Sequence, residues 1–418
     1  MAQLGNDCFT PGSDLMTAAE ALDLIGTNVA VVARREETGL AAAAGRILAG
    51  DLEAPISVPP HDNAAVDGFA FRLADLGAGD STSLRVVGRA AAGHPWTEPV
   101  PSGAAVRIFT GAVMPNDLDT VAMQEDCAVG DGVVAIPKGL PSGANRRRAG
   151  EDFAAGATIL REGQRLRPQD VGLAAAAGFE RLPVRSRLRV AVFSTGDEVV
   201  DPGTPLRPGA IHDSNRYALM SLLEGVGCAV SDLGILRDTS EAVLPALRRA
   251  ADTHDVVVTS GGVSVGEEDH VRDAVERLGH LHFWRLAIRP GRPLALGQIG
   301  NAAFVGIPGN PVAVMVTFLM FVRPLLFQLG GARVPAPHRY PVIADFAYRK
   351  KQGRREWLRA RLDGGGAEMP RASRFARDGA GILSSMVESD GLIELAEDIA
   401  HVEPGMVVPF VPYGEVLG

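Results

Sequence analysis

Between residues 187 and 330 the chain alternates apolar strand-like runs with helices, and this alternation restricts the fold more than any other feature. Arg189–Ser194, Ala229–Leu236 and the valine-rich Asp255–Ser260 read as strands. The segments Ser214–Leu223, Glu241–Ala251 and Glu268–Leu278 read as the helices between and after them. Further strands are expected near 281–288, 294–298 and 302–306, followed by a helix buried on all sides over 311–329. Parallel strands need crossover connections, usually helical, so the pattern specifies an α/β unit with a mainly parallel sheet. Such sheets bind ligands beyond the carboxyl ends of their strands.

At 418 residues the chain exceeds what one core supports, so further domains are expected. Residues 13–50 read as helical: Thr17 and Glu20 fit a capping box, and a second helix over Gly39–Leu48 closes before Gly50. Ala54–Pro60 reads as a stiff, proline-rich linker. Short β-like runs follow at Leu84–Gly88, Ala105–Phe109, Val121–Met123 and Val133–Ile136, then a helix over Gln169–Ala177 between Pro168 and Gly178. The tail carries strand-like Tyr340–Ala347, Trp357–Leu362 and Val407–Val411. The expected architecture is α/β plus β and multidomain. It comprises a helical, linking domain (1–54 and 148–186) carrying an inserted β-rich domain (55–147), the α/β domain (187–330) and a small C-terminal β domain (331–418).

A formal charge of −9 argues against nucleic acid as the main partner, which would want a basic face. Cys8, Cys127 and Cys228 are too widely spaced for a disulfide framework or a CxxC metal site. The opening Met-Ala-Gln-Leu-Gly-Asn-Asp lacks the basic start and apolar run of a signal peptide, so a reducing cytoplasm is expected. The apolar Val312–Val322 run is too short for a bilayer, which needs about 20 residues, and no membrane association is expected.

The polar residues collect at the strand ends of the α/β unit. Ser194-Thr195-Gly196-Asp197-Glu198 follows the first strand, His212-Asp213-Ser214-Asn215 precedes a helix, and Arg237-Asp238 closes the second strand. The valine-rich strand runs into Ser260-Gly261-Gly262-Val263-Ser264 and on to Asp269. Each has a plainer alternative: Asp213 and Ser214 suit a helix cap, and Gly261-Gly262 suits a tight turn. A glycine run before a helix also suits an oxyanion, because its amides point outward and no Cβ blocks approach. Acids crowded at one sheet edge suit a cation, and Mg²⁺ typically joins one or two carboxylates to substrate phosphates. Arg285, Arg289 and Arg292 lie around Pro290-Gly291 and Pro293, and guanidinium forks on a rigid loop suit a tetrahedral or phosphate-like dianion. One charge pair at 4 Å is worth about 4 kcal/mol at an effective dielectric near 20, so several cations hold a small dianion that one would not.

Taken together and in order, these stretches resemble the MoeA family, the E domain of gephyrin included. The matching motifs are Asp62-Asn-Ala-Ala-Val-Asp67-Gly-Phe-Ala70, Arg107-Ile-Phe-Thr110-Gly-Ala112 and Arg146-Arg-Arg-Ala-Gly-Glu-Asp152. They continue with Phe193-Ser-Thr-Gly-Asp-Glu198, Ser260-Gly-Gly-Val-Ser-Val-Gly-Glu-Glu-Asp269 and Gly306-Ile-Pro308-Gly-Asn310-Pro311. The resemblance implies a MogA-like α/β domain that binds molybdopterin, within a four-domain plan. It implies molybdenum insertion: adenylylated molybdopterin and molybdate enter, AMP leaves and molybdenum cofactor results. It also implies a homodimer in which Asp67, Thr110 and Asp152 reach the site from the partner subunit. Glu198, Asp238 and Asp269 would lie on the α/β side as catalytic and Mg²⁺-binding groups, with Pro308 and Pro311 shaping the wall. Contact with the preceding adenylyltransferase and with acceptor molybdoenzymes is implied as well.

Three departures stand out. Arg285, Arg289 and Arg292 stand where the family commonly has lysines, which favours binding over proton transfer. Val312-Ala313 follows the Gly-Asn-Pro motif where relatives often have serine, and Ala64 and Phe69 replace a frequent serine and tyrosine. Two alternatives share parts of the pattern: the pterin adenylyltransferase built on the same α/β domain, and a gephyrin-like scaffold. The dimer expectation is checked by light scattering, which should report twice the 43.8 kDa chain mass. A fully active particle of single-chain mass would contradict it.

Overall fold

The computed structural model describes residues 15–261, 269–333, 336–364 and 369–417. At its centre is a six-stranded sheet in the order 229–236, 189–195, 256–260, 302–307, 293–299, 279–285. The first four strands are parallel, 293–299 runs opposite to them, and 279–285 runs opposite to 293–299. Strand 189–195 has 229–236 on one side and 256–260 on the other. The strand order therefore reverses at 189–195, and beyond the carboxyl ends at such a point an open α/β sheet forms its ligand crevice. The three valines of 256–258 are fully buried because helices cover both faces of the sheet.

One face packs on helices Asn215–Gly225 and 311–330, the other on helices Ser240–Thr253 and His270–Leu278. The run 311–330 is helical throughout, with a π segment at Phe318–Val322, and is long and apolar enough to cross a membrane. It lies instead in the protein interior, with 83% of its most apolar window buried. Helix Ala18–Asn28, entered through the expected Thr17–Glu20 capping box, packs against it through Ala18, Ala21 and Ile25.

The C-terminal strands close on themselves. Strand Arg355–Asp363 pairs with Arg371–Arg374, which pairs with Tyr340–Ala344, then Val407–Pro412, then Gly391–Leu395, which returns to Arg355–Asp363. Closure removes the unpaired edges of a small sheet. Trp357, on the barrel, meets Phe321 of the long helix edge-on at 6.0 Å between ring centres, so barrel and α/β unit share one core.

The inserted region is a second six-stranded sheet, in the order 120–123, 68–71, 104–108, 81–90, 133–137, 128–130. The strand Gly68–Phe71, which overlaps the end of the Asp62–Ala70 motif, was not among the expected strands. The segment before this sheet is not a lone linker: Ala54 and Val58 bond back to Ala157 and Phe153, forming a two-strand connection.

The expected helical domain needs correction. Arg35–Gly39 is a strand antiparallel to Arg181–Arg185, and Gly39–Leu48 holds only a single 3-10 turn, Leu40–Ala42. The amides of Leu48 and Ala49 bond to the carbonyls of Gln164 and Pro183. Pairing with a distant segment overrides the weak helical preference of the alanines.

A buried ion cluster ties the loop after the first strand to the sheet. The Arg216 guanidinium, 2% exposed, binds Asp213 Oδ2 at 3.0 Å and also pairs with Asp201 and Asp232. Burial disfavours its charge, but Asp232 and Asp213 outweigh that and hold it more basic than usual. Arg216→Met is expected to cost about 3 kcal/mol, as when one partner of a buried pair is removed. Urea unfolding measures this; wild-type stability would show the cluster to be dispensable.

Candidate functional site

Two groups of residues emerge. The first is the crevice at the sheet's carboxyl edge. Ser194 and Thr195 end their strand buried, and their hydroxyls, with that of Thr259, have no hydrogen-bond partner. Asp238, closing the neighbouring strand, likewise has a buried Oδ1 without a partner. Gly196 follows with φ +136°, and the exposed Glu198 carboxylate folds over it. Orphaned polar atoms of this kind at a switch point suit a polar ligand. Ser260 is buried at the adjoining strand end, while Gly262 and Ser264 lie outside the described residues.

Several expected ligand groups have local partners instead. Asp213 is held by Arg216 through its side chain and amide, and Asp269 caps helix His270–Leu278 by accepting the Arg272 amide at 2.9 Å. Ser214 stands at a helix start without a capping bond, and Asn215 donates to the Gly309 carbonyl at 2.7 Å, bracing the Gly-Asn-Pro turn. The expectation that Glu198, Asp238 and Asp269 form a metal cluster is not met. No group of three or more such side chains placed to hold a metal occurs among the described residues. Asp269 spends an oxygen on its helix, which leaves Asp238 as the carboxylate best disposed toward a cation.

The second group lines a cleft of about 380 Å³ between the α/β sheet and the barrel. One wall carries Gly261, Arg289, Arg292, Pro308 and Asn310. The other carries Tyr348, Arg359 and Asp378, none of which the sequence reading singled out. Pro311 begins the helix behind, and Arg285 is exposed and not among the lining residues.

The arginine loop is fixed from below. Gly291 has φ +91°, and a Cβ there would come within 2.4 Å of the buried Thr317 Oγ1, so only glycine fits. Its barrel end is fixed by strand pairing of Ile288–Arg289 with Arg355–Glu356.

Arg359 sets the electrostatics of the cleft. It is 7% exposed, and it donates to the Ser385 hydroxyl at 3.0 Å and to the Arg377 and Gly379 carbonyls at 3.3 Å, with no carboxylate among these partners. Burial pushes its pKa down, and nearby Asp378 only partly offsets this. A guanidinium stays charged in proteins, so a buried one that no carboxylate bonds directly, its charge only partly balanced by Asp378, attracts an anion.

On the inserted sheet, Thr110 donates to Asp67 Oδ1 from both its amide and its hydroxyl at 2.8 Å. These bonds, with Arg107 nearby, hold the Asp67 carboxyl below its usual pKa. Asp152 lies on an open depression with Asn63, Arg147 and Glu151. Neighbouring Asp62 accepts the Ala149 amide at 2.7 Å and pairs with Arg146, which orders this turn. None of Asp67, Thr110 and Asp152 lines the cleft of the same chain.

The sequence matches the MoeA N-terminal region (domain I and II) over residues 16–178, a probable molybdopterin binding domain over 191–328 and the MoeA C-terminal region (domain IV) over 341–413. The molybdopterin molybdenumtransferase of Haemophilus influenzae is 39% identical over 385 residues, covering 92% of this chain and 95% of that protein. Molybdopterin molybdenumtransferase 2 of Mycobacterium tuberculosis is 35% identical over 387 residues, covering 88% and 92%. The solved molybdopterin biosynthesis MoeA protein of Pyrococcus horikoshii OT3 superposes with a TM-score of 0.83 at 28% identity, over 96% of this chain and 100% of that one.

Gly291→Ala is expected to destabilise the protein by about 1–3 kcal/mol through overpacking against Thr317. Adding Thr317→Ala should recover part of the loss, the strain of positive φ remaining. Thermal unfolding reads both; a wild-type midpoint for Gly291→Ala would contradict the close approach.

Proposed function

The chain belongs to the MoeA family and acts in molybdenum cofactor biosynthesis as a molybdenumtransferase, and from that premise we propose how its residues divide the work. The adenylylated pterin lies at the carboxyl edge of the parallel sheet, where Ser194, Thr195 and Thr259 offer unpartnered hydroxyls. Molybdate enters the cleft between sheet and barrel and is held by Arg289, Arg292 and Arg359. The observation that carries this reading is the buried Arg359 guanidinium, whose side-chain and carbonyl partners are all uncharged. A dianion supplies the counter-charge that Asp378, itself paired with Arg374, provides only in part, and three cations around one small cleft suit molybdate better than a neutral ligand.

Asp238 would hold a Mg²⁺ ion through its buried, unpartnered Oδ1, the chemistry by which a carboxylate joins this ion to substrate phosphates. The chemistry such an ion would supply there is neutralisation of phosphate charge. The arginines bind and orient the oxyanion and take no proton, because a guanidinium stays protonated in proteins and has no acceptor site. Asp67, kept ionised by Thr110, belongs with Thr110 and Asp152 to the site of a partner copy, which accounts for their not lining the cleft of their own chain. The working unit is then a homodimer. Unpaired Cys127 and Cys228 support a reducing cytoplasm as its compartment. The adenylyltransferase alternative leaves the matched N-terminal and C-terminal MoeA regions without a role.

Cofactor formation measured against molybdate concentration tests this assignment. Arg292→Ala is expected to raise the half-saturating molybdate roughly tenfold, the loss of one charge-assisted contact. Arg292→Lys should keep much of the activity at saturating molybdate and weaken more steeply with salt, since a hydrated ammonium makes a looser contact. An unchanged molybdate dependence in the alanine variant would put this loop outside the anion site.

A further inference from the structure

Beneath the cleft wall lies a buried relay. Glu356 is fully buried on the barrel strand, where an unpaired carboxylate would be costly. Its Oε1 accepts from Arg354 Nε at 2.6 Å and its Oε2 from the Tyr348 hydroxyl at 2.6 Å. The Arg289 guanidinium lies 3.8 Å from the same carboxylate and donates to the Tyr348 oxygen at 3.1 Å.

These bonds have a fixed direction. Tyr348 has one proton and gives it to Glu356, so toward the cleft it presents only lone pairs, which suit a donor such as Arg289. Burial and the Glu356 charge push the Tyr348 phenol up to about 12, so the direction does not reverse at working pH. The tyrosine is held on its ring face as well: the Arg374 guanidinium lies 5.1 Å over the ring and is itself paired with Asp378 at 2.5 Å. Arg289 therefore has one end of its fork anchored, while its side chain, 44% exposed, leaves the rest open to the cleft. Arg354 alone already gives Glu356 a charged partner at bonding distance. The Tyr348 branch is thus not needed to neutralise it, and its consequence lies on the cleft side.

We propose that Tyr348 and Glu356 are positioning residues that hold the Arg289 guanidinium in the plane in which it receives the oxyanion. This rests on the reading that the cleft binds molybdate. Neither side chain needs to touch the anion. Their effect is to reduce the side-chain freedom Arg289 would lose on binding, which raises affinity without a new contact.

The test uses the full-length protein and molybdate itself. Tyr348→Phe keeps the ring and removes the relay oxygen. Its half-saturating molybdate should rise roughly fivefold, the scale of one ordinary hydrogen bond, since the lost contact only orients the binding group, with a smaller loss of turnover at saturation. Direct molybdate binding by equilibrium dialysis should weaken in the same proportion. In an Arg289→Lys background the same change should have less than about half that effect, because the oriented group is already gone. Equal effects in both backgrounds, or loss of turnover with unchanged molybdate dependence, would overturn the proposal. Glu356→Gln, which retains size, should follow Tyr348→Phe in direction, so the result does not hang on one variant. Arg292→Ala separates the two levels. If it raises the molybdate requirement and Tyr348→Phe does not, only the positioning role fails; if neither does, the molybdate reading of the cleft fails.

Discussion

Two residue pairs, Ile288 beside Arg355 and Arg289 beside Glu356, join the α/β sheet to the C-terminal barrel, and the site depends on that short parallel pairing. Without it the arginine loop would be an exposed turn with a solvated basic face. With it, Arg289 meets Tyr348 and Glu356, Arg292 faces the barrel across a cleft, and Arg359 completes the charge from the opposite wall. The joint is rigid because the barrel is closed, because Trp357 packs into the core of the long buried helix, and because Gly291 sits against Thr317. An anion site made this way has little freedom to lose on binding.

The chain's net charge of −9 would seem to oppose such a site, but charge acts locally once burial reduces screening. Arg216 and Arg359 make the contrast plain. Both are almost wholly buried, yet Arg216 is surrounded by three aspartates, of which Asp232 and Asp213 hold its pKa up, whereas burial lowers that of Arg359. The first arrangement is complete in itself and holds a loop to the sheet. The second has no carboxylate bonded to it and only partial compensation from Asp378, which is the electrostatic condition for taking up an oxyanion.

The α/β unit was readable because its strands are continuous apolar runs and its helices repeat their apolar residues regularly, so element type and order follow from periodicity. The Thr17–Glu20 cap and the Pro168 start were equally legible, since each is a local bond pattern. Gly39–Leu48 was not: its alanines favour a helix, and only a strand more than 130 residues away, Arg181–Arg185, decides otherwise. Asp213 and Asp269 were chosen as ligand groups from residue type and position, and the partners that occupy them, Arg216 and the Arg272 amide, show only in three dimensions. Tyr348, Glu356 and Arg359 were missed for the same reason. A charged residue in an alternating strand normally faces solvent, and nothing in the local pattern says that the barrel turns these inward.

The central claim is that molybdate binds between the arginine loop and the barrel. Anomalous diffraction at the molybdenum edge from crystals soaked in molybdate tests it directly. A molybdenum peak within hydrogen-bonding reach of Arg289, Arg292 and Arg359 is the predicted result. An occupied molybdenum site elsewhere on the chain, with no peak in this cleft, would contradict it.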